Sequence, residues 1–363
     1  MASNCCSPRL ILGVKVLFGL VYAPIGAEVA LRLIAPVPML PRYVCATAYG
    51  IRGNMPNRTY WHQSAEFKVQ LHTNSKGIRS DREIPYERTQ GIKRIVLLGD
   101  SFGMGYEVSY EDMFTSRMTY HLEHDHGIKA EVVNLSTSGH GNAEELIVLQ
   151  NEGLKYQPDL VLLAWHVTDY DDNVRSNLYS LTDGRLVRKA QTYLPGVEAQ
   201  EKLYRLPLYA LVADNSNLYN LLRDWAGGTV KSLLLKARSL SSKQGPSETP
   251  PDPNYSTDLM IALLSKIRGI CEQRGIAFMI LDIPVRVSRS EFVSEFPSLG
   301  PGMEHPLDVV SPISKFAEAN GRRVYTERSH GHFTPFGCDM VGKVLADHIA
   351  DRGLLYPNVA SRP

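Results

Sequence analysis

The residue best placed to do chemistry is a serine in a glycine-rich turn. Ser101 lies in the segment Gly99-Asp-Ser-Phe-Gly103, directly after the apolar run Ile95-Val-Leu-Leu98. A serine hydroxyl is a weak nucleophile at neutral pH. It needs a neighbouring base to take its proton and fixed donors to hold the charge of a tetrahedral intermediate. The sequence therefore predicts a nucleophile at Ser101 if other segments supply the base and the donors.

Short apolar runs alternate with helix-like stretches along the chain, which indicates a parallel α/β sheet. We predict strands at 95–98, 132–135, 160–165, 277–281 and 323–325, and helices from 109, from 142, at 259–271, near 307–319 and after 334. Active sites of open parallel sheets form at the carboxyl ends of the strands. The stretches that follow four of these strands contain Ser101, Gly139, Thr168 and His332. We therefore expect these residues to meet at one edge of the sheet.

Several histidines fall near the same predicted edge and permit a metal-site interpretation. Together with Asp100 and Asp169, the histidines expected at this edge are His140, His166, His330 and His332. In this alternative, His330 and His332 are ligands of a metal-dependent hydrolase. The set is scattered and lacks an established ligand spacing, so we predict neither a metal nor another cofactor.

The serine turn and its placement resemble a known family. A Gly-Asp-Ser turn after the first core strand, with a histidine just before the last helix, is similar to the SGNH (GDSL-like) hydrolase superfamily over roughly residues 67–350. The segment Asn74-Ser-x-Gly77-x-Arg79, followed by RIVLLGDSFGMG, resembles the N-terminally membrane-anchored bacterial branch. The resemblance implies a three-layer, flavodoxin-like parallel sheet and a serine-based reaction on ester bonds.

The resemblance also implies roles for individual residues. Ser101 matches the nucleophile, His332 matches the general base, and Gly139 matches the glycine whose amide helps to hold the oxyanion. Thr168 stands where the family has an asparagine that donates to the oxyanion. A threonine hydroxyl can donate as well, with a shorter reach.

The acid that orients the base is less clearly marked. The family has aspartate two or three residues before its histidine, where this sequence has His330 or Ser329. We include His330 among the catalytic candidates and take Glu327 as the first candidate for the orienting acid, with Asp282 as the second. A Ser-His dyad without an acid is the remaining possibility.

The N-terminus is apolar enough to indicate a membrane segment. Residues 10–23 are nearly all apolar, Pro24 predicts a kink, and apolar character resumes through 29–35. We predict an anchor at 1–36, with a cleaved signal peptide as the alternative. A lead-in segment with a small hairpin follows at 37–92, and then the SGNH-like α/β domain at 93–356, which carries a partly flexible insertion at about 173–258.

Composition narrows the class of protein. Lys plus Arg is 39 against 38 for Asp plus Glu, and no basic run is interleaved with aromatics, which argues against nucleic-acid binding. Five cysteines without paired spacing indicate neither a disulfide framework nor a structural zinc. The resemblance implies a serine esterase or acyltransferase acting on a small acyl group, such as O-acetyl, of a surface or exported glycan. It also implies a location in the periplasm or at the cell exterior. The alternative function is that of a glycan-binding or assembly protein that kept the fold.

Overall fold

The centre of the molecule is a five-stranded parallel sheet. The structure, a computed structural model, describes residues 8–34, 37, 39–226, 254–297 and 307–356. The sheet strands are β5 (Lys93–Gly99), β6 (Ala130–Asn134), β7 (Leu160–Trp165), β10 (Ala277–Asp282) and β13 (Val309–Val310). Their order is β13-β10-β7-β5-β6. If the five strands are numbered 1 to 5 along the chain and read from β6, their order is 2-1-3-4-5. This is the flavodoxin-like arrangement that the sequence resemblance implies.

The remaining elements surround this sheet. The smaller strands are β1 (Val44–Ala46), β2 (Arg52–Asn54), β3 (Thr59–Gln63), β4 (Lys68–His72), β8 (Tyr179–Thr182), β9 (Arg185–Arg188), β11 (Val285–Arg286) and β12 (Phe292–Val293). The helices are α1 (Pro8–Ile34), α2 (Phe114–His126), α3 (Asn142–Asn151), α4 (Thr168–Ser176), α5 (Val197–Tyr204), α6 (Tyr209–Asn215), α7 (217–226), α8 (Tyr255–Glu272), α9 (Ile313–Phe316) and α10 (Pro335–Asp351).

The sheet is covered on both faces, which gives three layers. Strands β5, β7 and β10 are continuous apolar runs, and such runs suit strands that are buried on both sides. Alternate side chains of these strands enter two separate cores. One core contains α2 and α10, and the other contains α3 and α8.

The prediction of the fifth strand of the sheet was wrong. The fifth strand is Val309–Val310, which pairs with β10 through Ile280 and Leu281, and not the segment 323–325. The helix expected at 307–319 is reduced to α9 and a 3-10 turn, because Pro312 interrupts the segment after the strand and starts a new helix. Tyr325 instead forms an isolated bridge with Phe333, beside the start of α10.

The lead-in segment contains a hairpin, and part of the insertion can be described. Strands β3 and β4 pair antiparallel over 59–63 and 68–72. The insertion begins within α4 and continues through the β8–β9 hairpin, α5, α6 and α7. Residues 227–253, where the predicted helix continues and the Ser- and Pro-rich loop follows, lie outside the described part of the chain. Among the described residues, no helix combines the length and apolarity needed to cross a membrane.

Candidate active site

Ser101 and His332 form the reactive pair. Ser101 is the second residue after β5, in a turn closed by a 2.8 Å hydrogen bond from the Phe102 amide to the Asp100 carboxylate. His332 lies three residues before α10 and is only 8% exposed. Its Nε2 is 2.7 Å from the Ser101 Oγ. This distance lets Nε2 accept the hydroxyl proton, as a general base must.

Glu107 stands behind the base, and this corrects the prediction of Glu327. The other ring nitrogen of His332, Nδ1, faces the Glu107 Oε1 at 3.8 Å. That is an ion-pair distance, longer than a hydrogen bond, and contacts of this kind are often long in the absence of substrate. Glu107 lies six residues after the nucleophile, whereas the family pattern has the acid two or three residues before the histidine. The site therefore contains a serine, a histidine and a carboxylate in the order that a triad needs.

The surroundings of Glu107 keep it charged. Its carboxylate accepts hydrogen bonds from the Thr326 hydroxyl and, at 2.8 Å, from the His330 amide. Burial alone would raise the pKa of Glu107, but the donors on His332 and Thr326 outweigh it and lower that pKa to about 2. An anion in this position stabilises the imidazolium that forms when His332 takes the serine proton.

The two acids expected from the sequence lie elsewhere. Glu327 is at the surface, where it pairs with Arg289 at 3.1 Å and with Arg323 at 3.5 Å. Asp282 is buried at the end of β10, and its burial raises the pKa of the carboxyl group. Glu107 is thus the carboxylate that faces Nδ1 of His332, in place of Glu327 or Asp282.

Arg79 holds the loop that carries Glu107. Its guanidinium is 2% exposed and donates to the carbonyl oxygens of Met104 (2.7 Å), Gly105 and Val108 (2.5 Å). A planar fork with several donors can span three carbonyls in this way, whereas a lysine ammonium is a single point. The lead-in segment therefore fixes the path of the chain between Ser101 and Glu107.

Gly139 lies in a turn that a second lead-in arginine holds. Its φ of +75° is in the left-handed region, which glycine adopts without strain. The Arg52 guanidinium donates to the carbonyls of Ser138 at 3.2 Å and Gly139 at 2.9 Å. The Thr137 amide bonds the Gly99 carbonyl at 3.0 Å, which ties this turn to the turn of Ser101. The role of the Gly139 amide as an oxyanion donor stays a prediction.

Thr168 is turned toward a histidine. It is the first residue of α4 and is exposed, and its Oγ1 lies 3.0 Å from Nδ1 of His166. His166 directly follows β7, and its ring centroid is 4.9 Å from that of Phe102, the residue after the nucleophile. Thr168, which stands where the resembled family has an asparagine, is thus linked to the site through His166.

His330 contributes its backbone to the site. Its amide bonds Glu107, while its ring packs 5.4 Å from His62 and 6.2 Å from His332. A catalytic role for its imidazole stays a prediction. Within the described residues, no group of three or more His, Cys, Asp or Glu side chains is arranged to hold a metal ion.

Glu107, Arg79 and Arg52 were missed as site residues. The sequence offers one signal for Glu107, a lone acid between Tyr106 and Val108 in a mostly apolar stretch. Arg79 was noted only as part of a motif, and Arg52 carries no motif. Their functions depend on contacts across loops that spacing along the chain does not show.

Comparisons with known proteins found similarity to solved structures, at low sequence identity. No protein-family model and no curated protein matches the sequence. A lipase from a goat rumen metagenome aligns over 73% of this chain and 99% of its own, with 14% identity and a TM-score of 0.36. A G-D-S-L family lipolytic protein from Veillonella parvula aligns over 71% and 97%, with 12% identity and a TM-score of 0.26. A two-domain esterase active on acetylated mannans aligns over 72% and 49%, with 11% identity and a TM-score of 0.36. At such low TM-scores the similarity carries no inference about function.

Proposed function

We propose that the protein is a serine esterase or acyltransferase that works through an acyl-enzyme. The observation that carries this proposal is the 2.7 Å contact between Ser101 Oγ and His332 Nε2, with the buried Glu107 carboxylate on the far side of the ring. A hydroxyl, a base and an orienting anion in this order are the groups that nucleophilic catalysis at an acyl carbon needs.

The reaction would proceed in two steps. As the Ser101 Oγ attacks the acyl carbon, its proton passes to His332 Nε2, and the carbonyl oxygen becomes an oxyanion. When the ester bond breaks, Nε2 returns that proton to the departing alkoxide. Water or an acceptor hydroxyl then attacks the acyl-enzyme by the same route, which gives hydrolysis or transfer. The charged Glu107 favours the imidazolium in both steps.

A small acyl group, such as O-acetyl on a glycan, is the proposed substrate. The resemblance of the sequence motifs to the membrane-anchored branch is the source of this proposal. Aromatic rings also lie next to the nucleophile, because Phe102, the residue after Ser101, packs 4.5 Å from His332 and 4.9 Å from His166.

We also propose that α1 tethers the domain to a membrane, with the catalytic domain in the periplasm or outside the cell. Large apolar side chains of α1 are exposed to solvent, including Leu20, Leu33 and Ile34. The Glu28 carboxylate accepts bonds from the Ser216 hydroxyl (2.9 Å) and the Leu218 amide (2.8 Å), so the helix is attached to the insertion. Cell fractionation of the full chain and of a variant lacking residues 1–36 tests this proposal, because only the full chain should sediment with membranes.

The experiment that tests the reaction combines covalent labelling with turnover. A fluorophosphonate probe should label the full chain, and p-nitrophenyl acetate should be hydrolysed. Ser101→Ala should abolish the labelling and lower kcat by about 10⁴-fold or more. Ser75→Ala, at an exposed serine of the lead-in segment, is the matched control and should keep both.

Two other outcomes would overturn the serine mechanism. Hydrolysis that a chelator abolishes, without labelling of Ser101, would indicate a metal-dependent hydrolase that uses the histidines. Absence of both labelling and hydrolysis, for acetyl esters and acetylated glycans alike, would indicate a protein that binds or assembles glycans without cleaving them.

A further inference from the structure

The strand register brings His166 to the level of the nucleophile. Strands β5 and β7 are parallel neighbours, and Gly99 pairs with Ala164. Ser101 and His166 each lie two residues beyond these partners, whereas Thr168 lies four residues beyond. Because neighbouring parallel strands advance together, His166 and Ser101 leave the sheet edge side by side.

The rings around Phe102 agree with this placement. The Phe102 ring packs against two imidazoles, with centroid distances of 4.5 Å to His332 and 4.9 Å to His166. One imidazole is the base that bonds Ser101. The other belongs to His166, which follows β7 at the carboxyl edge of the sheet.

Thr168 selects the tautomer of His166. Its backbone N–H lies 3.5 Å from Nδ1 and its hydroxyl lies 3.0 Å from the same atom. A backbone N–H can only donate, so Nδ1 is the acceptor and the ring hydrogen of a neutral imidazole is on Nε2. Burial lowers the pKa of His166 and, together with His332, outweighs the opposing effect of Asp100, so the neutral ring is favoured near pH 7. Within the described residues, Nε2 of His166 has no hydrogen-bond partner.

We propose that the Nε2–H of His166 donates to the oxyanion of the tetrahedral intermediate, and that Thr168 positions His166 for this role. The inference rests on the proposed function and deepens it. In this proposal the Thr168 hydroxyl does not donate to the oxyanion itself but holds His166, which does. A neutral imidazole can stabilise developing negative charge by donating a hydrogen bond while keeping its proton. The role is therefore distinct from that of His332, which exchanges its proton.

The test compares the kinetics of three variants on p-nitrophenyl acetate. His166→Leu removes the donor and should lower kcat by about 100- to 1000-fold with little change in KM, because the donor acts on the intermediate and not on the bound ester. His166→Asn keeps an N–H donor on a shorter side chain and should restore much of that loss. Thr168→Val removes the hydroxyl contact and should lower kcat by roughly 10-fold, since the backbone N–H still bonds Nδ1.

Binding of methylboronic acid, which forms a tetrahedral adduct with the serine, gives a second measurement. The His166→Leu variant should bind it more weakly by a factor similar to the loss in kcat, while Ser101 stays in place. Wild-type kcat and boronate affinity in folded His166→Leu would overturn the inference and leave the serine mechanism standing. If His166→Leu does not fold, His166→Asn decides, because a loss as large as that of Ser101→Ala would also overturn it. Failure of the wild-type protein to hydrolyse esters or to react at Ser101 would instead overturn the proposed function.

Discussion

Two regions near the catalytic serine contain buried carboxyl side chains. Glu107 lies behind His332, and Glu144, Glu145 and Asp169 lie around the start of α3 and α4. All four are at most 2% exposed. Burial raises the pKa of Glu144 to about 8, and it raises the pKa values of Glu145 and Asp169 as well, whereas the pKa of Glu107 is lowered to about 2. Equal burial thus accompanies opposite shifts, a lowered pKa for Glu107 and raised pKa values for the other three acids.

The difference comes from the donors that each carboxyl group receives. Glu107 accepts hydrogen bonds from a hydroxyl and a backbone amide, and it faces an imidazole at ion-pair distance. The Asn142 side-chain amide donates to the carboxyl groups of both Glu145 (3.0 Å) and Asp169 (3.1 Å). The other oxygen of each carboxyl group has no hydrogen-bond partner within the described part of the chain. Donors rather than exposure therefore decide whether a buried acid keeps its charge.

The arrangement suits the charges of the proposed reaction. The imidazolium of His332 develops next to the charged Glu107. The oxyanion would develop on the side of His166 and Gly139, near the acids whose pKa values are raised. A raised pKa favours the neutral form of these acids, and the neutral form does not repel the oxyanion as an ionised carboxylate would. Three variants test whether the two groups really differ in this way.

Removing the charge of Glu107 should have the largest effect. Glu107→Gln keeps the shape of the side chain but no longer stabilises the imidazolium, so we expect kcat to fall by about 1000-fold. Steady-state hydrolysis of p-nitrophenyl acetate measures this effect. Glu327→Gln, the same change at the surface acid that pairs with Arg289, should keep kcat within about twofold. Equal losses in both variants would show that the charge of Glu107 has no special role.

Loosening the loop of Glu107 should have an intermediate effect. Arg79→Lys keeps the charge but cannot bond three carbonyls at once, so Glu107 should shift relative to His332. We expect kcat to fall by about 10- to 100-fold, and the free energy of unfolding to fall by about 2–3 kcal/mol. Urea denaturation and kinetics together measure the two effects. Arg82→Lys, in the same segment and largely exposed, is the control. A loss of stability with an unchanged kcat would show that Arg79 supports the fold without positioning Glu107.

The sequence was sufficient for the parts of the site that are local. Ser101 and the central strands could be predicted because a turn after a buried apolar run has a clear pattern, and the flavodoxin-like order followed from the resemblance. Glu107 could not be predicted, since its contact with His332 joins segments more than 200 residues apart. The position of His166 depends on the register of β7 against β5, which an apolar run alone does not fix. The strand Val309–Val310 is only two residues long and has no periodicity to detect.

Removing a protonated acid should have the smallest effect on the reaction. Glu145→Gln replaces a neutral carboxyl with a neutral amide, so we expect kcat to stay within about threefold. Stability should respond instead, because the folded-state pKa of Glu145 lies above the value of about 4.5 in the unfolded chain. Between these two values the folded state holds a proton that the unfolded state releases, so stability falls as pH rises through that range.

Glutamine cannot release a proton, so this dependence should be weaker in Glu145→Gln. The thermal midpoint of the variant should drop less than that of the wild type between pH 5 and pH 8, with a difference of about 2–4 °C. Glu123→Gln, at an exposed position of α2, should follow the wild-type curve. If Glu145→Gln instead lowered kcat as far as Glu107→Gln, the acids on the oxyanion side would have to act as charged groups. The proposed contrast in charge between Glu107 and the acids near α3 and α4 would then be wrong.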